Sequence, residues 1–92
     1  MAERFQTLWR SGAVKIERIV SRGDATPKGK WLRGRRDEWV MLLKGRARLR
    51  FKIKNRRVAM KPGDHLFIHA GAAHRVEWTL PRKNTVWLAM RF

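Results

Sequence analysis

The chain has 92 residues, enough for one domain around a single hydrophobic core and too few for a second module. Its apolar share of 43% is that of a folded domain, and the absence of cysteine excludes a disulfide framework, a thiolate zinc site and a cysteine nucleophile. Lysine and arginine number 23 against 7 acids, a net charge of +16, which attracts polyanions without implying that it reads them.

The first residues, Met1 to Ser11, mix charges with Phe5, Leu8 and Trp9. They suggest one helical turn over Arg4 to Trp9 and lack the pattern of a secretory leader, so the expected location is cytoplasmic. Val14, Ile16 and Val20 alternate with Lys15, Glu17 and Arg18, which predicts a half-buried strand with the apolar set inside. Ser21 to Gly34, with Gly23, Pro27, Gly29 and Gly34, reads as a loop pinned by Trp31 and Leu32. The continuous apolar run Trp39 to Leu43 predicts a strand covered on both faces, with Gly45 turning the chain.

Ala47, Leu49, Phe51 and Ile53 then alternate with Arg46, Arg48, Arg50 and Lys52, a period of two that gives an apolar inner face and a cationic outer face, with Lys54 extending the cationic row. Val58 to Met60 forms a short return strand, His65 to Ile68 another, and Ala70 to Ala73 a small-residue turn. His74, Val76 and Trp78 share one face of the next strand, and Thr85 to Phe92 ends the chain in a strand apolar on both sides, with Trp87 and Ala89 on its outer face. No segment is long and apolar enough to insert in a membrane. The short strands and turns predict an all-β sandwich or barrel occupying residues 1 to 92 as one unit.

Two stretches, "DEWVMLLKGRARLRF" and "KPGDHLFIHAGAAHRVEW", resemble the two halves of a cupin domain, a double-sheet jelly roll. In that family the first motif is written G-x5-H-x-H-x3,4-E-x6-G and the second G-x5-P-x-G-x2-H-x3-N. Glu38 and Gly45 keep the E-x6-G spacing, and Gly63, Gly71 and His74 keep the G-x7-G-x2-H spacing. The resemblance implies a small single-domain cupin of the cupin-2 kind, a divalent metal ion or small ligand inside the barrel, and a homodimer.

The chain departs from the family pattern where the metal would be held. The two histidines of the first motif would fall at Trp31 and Arg33, or one residue later, and none of these is histidine; His69 stands in place of proline and Trp78 in place of asparagine. Glu38 and His74 remain, with His69 or His65 able to complete a ligand set only by turning inward. A catalytic metal commonly takes three protein ligands. The alternative for Glu38 is a carboxylate neutralised by Arg33 or Arg35, and for His74 a core histidine bonded to a backbone carbonyl. Trp31, Trp39, Trp78 and Trp87 offer rings for lining a ligand pocket or for filling the core. No catalytic set stands out, since Ser11 and Ser21 are the only serines and neither lies in a nucleophile elbow.

The cationic row Arg46, Arg48, Arg50, Lys52 and Lys54 repeats at about 6.8 Å along a regular strand, and Arg56 and Arg57 add to it. No acid lies between Trp39 and Gly63 to relieve the repulsion. The row suits non-specific association with nucleic acid or another polyanion at low salt, yet it lacks interleaved aromatic residues or a nucleic-acid motif. Surface charging for solubility gives the same pattern.

Overall fold

A computed structural model describes residues 3 to 92 and has eight strands: β1 (Arg4–Ser11), β2 (Val14–Ser21), β3 (Glu38–Lys44), β4 (Ala47–Phe51), β5 (Arg56–Met60), β6 (His65–Ile68), β7 (His74–Thr79) and β8 (Thr85–Arg91). They form two antiparallel sheets, one of five strands in the order β1-β2-β8-β3-β6 and one of three in the order β5-β4-β7. This is the all-β sandwich that the short, turn-punctuated strands predict, in the double-sheet jelly-roll form that the family resemblance implies. Between the sheets lie Val40, Leu42, Ala47, Leu49, Met60, Ile68, Trp87 and Ala89.

The inner face of β4 follows its alternation, with Ala47 and Leu49 buried and Arg48 outside. The row does not continue past Phe51. Lys52 turns helical, a single 3-10 turn covers Ile53–Asn55, and Lys54 and Asn55 take positive φ of 59° and 48°. Ile53, expected inside, is 74% exposed, and Lys52 and Lys54 leave the cationic row. The cause is local: Asn55 favours the left-handed region, its backbone N–H donates to the Lys52 carbonyl at 3.2 Å, and its side-chain oxygen accepts from Arg50 Nε.

Gly45 makes the sharp turn from β3 to β4 at φ +90°, and a Cβ there would lie 2.4 Å from Thr85 Oγ1 and 2.7 Å from Thr85 Cα. Only glycine satisfies both the dihedral and the close approach.

Several predicted faces are inverted. Arg4 to Ser11 is a strand, not a helical turn, paired with β2 along its whole length. A bulge between Thr7 and Trp9 produces the helix-like spacing of Phe5, Leu8 and Trp9. In β2 the inward residues are Glu17 and Ser21, both buried, with Lys15 and Ile19 on the same parity, while Val14, Ile16 and Val20 face out. In β8, Trp87 (5% exposed) and Ala89 (0%) are core residues and not outer ones. In β3 only Val40 and Leu42 are covered within the chain; Trp39, Met41 and Leu43 take the opposite parity, and Leu43 is exposed. The exterior of the larger sheet is itself apolar, so alternation alone could not tell its two sides apart.

Candidate functional site

The segment between β2 and β3 closes one end of the barrel, tied down by backbone groups and not by packing alone. The Leu32 N–H donates to the His74 carbonyl at 2.6 Å, the His74 N–H returns to the Leu32 carbonyl at 3.0 Å, and the Thr26 N–H reaches the Val76 carbonyl at 2.8 Å. Further along, the Gly71 N–H donates to the Gly34 carbonyl at 2.8 Å and the Ala70 N–H to Asp37 Oδ1 at 2.8 Å. A loop so bonded has a fixed backbone, with little main-chain ordering left for a ligand to supply.

Behind this loop a cavity of about 400 Å³ opens between the sheets. Its apolar walls are Ile19, Val40, Leu49, Ile68, Val76 and Trp87, with Glu38, His74 and Arg91 among its polar groups. A second recess of about 330 Å³ shares Leu32, Glu38, Ile68, His74 and Arg91 with it and adds Arg33, Arg35, Arg36 and His69. The two are parts of one hollow, apolar within and cationic at the mouth.

Glu38 on β3 and His74 on β7 face this hollow from opposite sheets, as the motif spacing predicts. His74 is buried, and its Nδ1 lies 2.8 Å from the Ala72 carbonyl. A carbonyl only accepts, so Nδ1 carries a proton, and Nε2 has no hydrogen-bond partner among the described residues. The two sequence alternatives for these residues thus hold in part: His74 does bond a carbonyl, and Glu38 is neutralised by an arginine. That arginine is Arg91, not Arg33 or Arg35.

Arg91 is the centre of a network that the sequence reading missed. Its Nε donates to Glu38 Oε2 at 2.9 Å and its Nη1 to Glu17 Oε1 at 2.6 Å, while Lys15 Nζ reaches Glu17 Oε2 at 3.2 Å. Burial pushes the Glu17 carboxyl up, but the hydrogen bonds and charges of Arg91 and Lys15 outweigh it and hold the group below the ordinary glutamate value. Trp87 Nε1 donates to Ser21 Oγ at 3.2 Å, and Ser21 in turn hydrogen-bonds Glu3. The signal available in the sequence was parity: Arg91 shares a face with Trp87 and Ala89.

The remaining candidates lie elsewhere. His69 is exposed at the mouth, its ring stacked 4.8 Å from Phe67. Trp31 lines neither recess and lies under Arg50 and Lys52, 5.6 and 5.9 Å from its ring. Trp39 is on the outer face of the larger sheet, 5.9 Å from the His65 ring. Trp78 leaves the His74 face because a bulge in the β4–β7 pairing sets it opposite Arg48. Of the tryptophans discussed for the pocket, Trp87 is the one that lines it.

Nor is the cationic row an open strip. Glu77, on the outer face of the smaller sheet, accepts from Arg48 Nε at 2.7 Å and Arg57 Nε at 3.1 Å, with Arg50 at 3.9 Å. Arg46 Nη1 donates to the Gly45 carbonyl and Arg56 lies over the Phe51 ring. The acid missing between Trp39 and Gly63 is supplied from β7.

No family model matches the chain, and no curated protein matches it. Solved structures do. A protein of Ralstonia eutropha JMP134, provisionally named a mannose-6-phosphate isomerase, is 42% identical, with a TM-score of 0.94 over 98% of this chain and 83% of that one. A cupin superfamily protein of Desulfitobacterium hafniense is 17% identical, with a TM-score of 0.79 over 99% and 77%. The cobalt(II) form of HppE is 13% identical, with a TM-score of 0.80 over 98% of this chain and 53% of that one. The chain belongs to the cupin superfamily.

A divalent metal is bound by one of these relatives, so the donor set was compared with what such an ion requires. Among the described residues no three His, Cys, Asp or Glu side chains gather closely enough to hold one. Glu38 is engaged by the Arg91 cation and His69 stacks away on Phe67. These residues do not fit a resident divalent ion.

Proposed function

We propose that this chain is a small-ligand-binding cupin whose barrel interior takes an organic molecule between Glu38 and His74. The observation that carries the reading is the hollow of about 400 Å³ with an imidazole and a carboxylate on facing sheets. No reaction is assigned: an ion-paired carboxylate and one histidine bonded to a backbone carbonyl are binding groups before they are a catalytic pair. The name carried by the Ralstonia protein makes a hexose phosphate one compound to test.

Thermal shift with a panel of small metabolites tests the reading, since a ligand at 100 times its Kd adds about 2.7 kcal/mol to the folded state. Binding should weaken in Glu38→Ala and His74→Ala. A panel in which no compound shifts the wild type, or in which both variants respond as it does, overturns it.

The outer face of the larger sheet supports a second element of the reading, pairing with another copy of this chain. Cross-strand pairs set Ile16 beside Met90, Met90 beside Trp39, and Leu88 beside Met41, all on one exterior. A sheet with charged groups inside and apolar groups outside is built to be covered. Non-specific polyanion association is a consequence of the +16 charge, and its strength should fall steeply with salt.

A further inference from the structure

We propose that the ligand is an amphipathic anion, its acidic head on the Arg33, Arg35 and Arg36 rim and its apolar body between the sheets; this rests on the ligand-pocket reading above. The walls decide the body. Ile19, Val40, Leu49, Ile68, Val76 and Trp87 present carbon to the hollow, and most polar groups among them already have partners: Glu38 and Arg91 bond each other, Glu3 bonds Ser21, Thr26 Oγ1 accepts from the Val76 N–H and His74 Nδ1 bonds Ala72, leaving His74 Nε2 without a partner among the described residues. A polyhydroxylated molecule would lose its water there and find few partners, each stranded hydroxyl weakening its binding. A hydrocarbon or aryl body loses nothing and gains from leaving water.

The mouth decides the head. Arg33, Arg35, Arg36 and Arg91 converge on one recess whose only carboxylate, Glu38, already has its cation. None of Arg33, Arg35 and Arg36 forms a salt bridge among the described residues. Arg33 reaches only the Gly71 carbonyl, at 3.4 Å. Guanidinium groups match carboxylate and phosphate oxygens in pairs, and these are carried on a loop whose backbone is held by hydrogen bonds. The shared chemistry is an anionic oxygen head on an apolar body.

Isothermal titration of the full chain with decanoate, decyl phosphate, decanol and mannose 6-phosphate tests this. Decanoate or decyl phosphate should bind one to one, and decanol and mannose 6-phosphate should each bind about tenfold more weakly or less, a difference of one charge-assisted contact. The relative strength of the two anions identifies the head. The triple variant Arg33→Gln, Arg35→Gln, Arg36→Gln should weaken the anion about tenfold and leave decanol unchanged. Arg46→Gln, Arg82→Gln, Lys83→Gln removes the same charge from residues that line neither recess, and it should bind as wild type does. Equal loss in both triple variants overturns the rim assignment in favour of net charge. Mannose 6-phosphate as the tightest ligand overturns the amphipathic class and leaves the pocket reading standing. Silence from all four compounds overturns the inference, and the metabolite panel then tells whether the pocket reading falls with it.

Discussion

Replacing Arg91 with methionine should unmask the charge buried in the barrel. The side chain of Glu17 is 6% exposed and that of Glu38 16%, and both depend on Arg91, which keeps 34% of its own surface in water. Removing one partner of a buried pair costs about 3 to 5 kcal/mol, and partial exposure of Arg91 together with the surviving Lys15 contact places Arg91→Met near about 3 kcal/mol. In a domain of this length each 1 kcal/mol moves Tm by about 4 to 8 °C, so Tm should fall by about 12 to 24 °C at pH 7.

The pH dependence carries the sharper test. Glu17 titrates below the ordinary value of 4.5 in the folded wild type. Its contribution is therefore fully present above that value and is lost as pH falls through the lower folded value. Without Arg91, burial remains and the main group opposing it is gone, so the carboxyl moves upward and acidification relieves the variant. Urea unfolding from pH 7 to pH 3 should show the two proteins converging. A loss below about 1 kcal/mol at pH 7, the size of an exposed ion pair, or a gap that stays constant with pH, would refute the argument.

Three further outcomes follow from other parts of the molecule. Glu77→Gln releases Arg48, Arg50 and Arg57, so heparin retention should rise, with a stability loss of about 1 kcal/mol that shrinks in high salt; unchanged retention would count against any polyanion role for that face. Gly45→Ala forces a Cβ into Thr85, whereas Gly63→Ala, also at positive φ, meets open space; chemical denaturation should show the first losing at least about 2 kcal/mol and the second about 1. Leu88→Glu places a charge amid Arg18 and Met41 on the outer sheet face; under the proposed pairing of copies, light scattering should report a dimer for the wild type and a monomer for the variant.

How much of this was legible depended on whether a strand had two distinguishable sides. In β4 one side is arginine and the other alanine or leucine, so the burial of Ala47 and Leu49 could be read directly. In β2 and β8 both sides carry apolar residues, and the deciding contacts are long-range. Glu17 finds Arg91, and Ser21 finds Trp87, across 74 and 66 residues of chain. Bulges hid more. The one between Thr7 and Trp9 imitated a helix, and the one in the β4–β7 pairing turned Trp78 away from His74's side. The motif residues Glu38 and His74 each open a strand, ahead of the bulges in the pairings of β3 and β7, and both line the hollow. The spacing could not say that Glu38 would be claimed by an arginine at the other end of the chain.

The fate of the acids gives the +16 charge a physical meaning. There are 7 of them, and each is spent on holding the fold. Glu3 bonds Ser21, Asp24 caps the Arg22 N–H, Asp37 accepts from Ala70, and Asp64 accepts from Lys61. Glu17 and Glu38 share Arg91, and Glu77 gathers three arginines. Glu17, Glu38, Asp64 and Glu77 pair with cations, and none of the seven forms a salt bridge with Arg33, Arg35 or Arg36 among the described residues. The guanidinium groups of Arg33, Arg35 and Arg36 are open to an anion from outside the chain, and the largely apolar walls of the hollow beneath them favour one with an apolar body. Fold and charge thereby limit the ligand together, though neither does so alone.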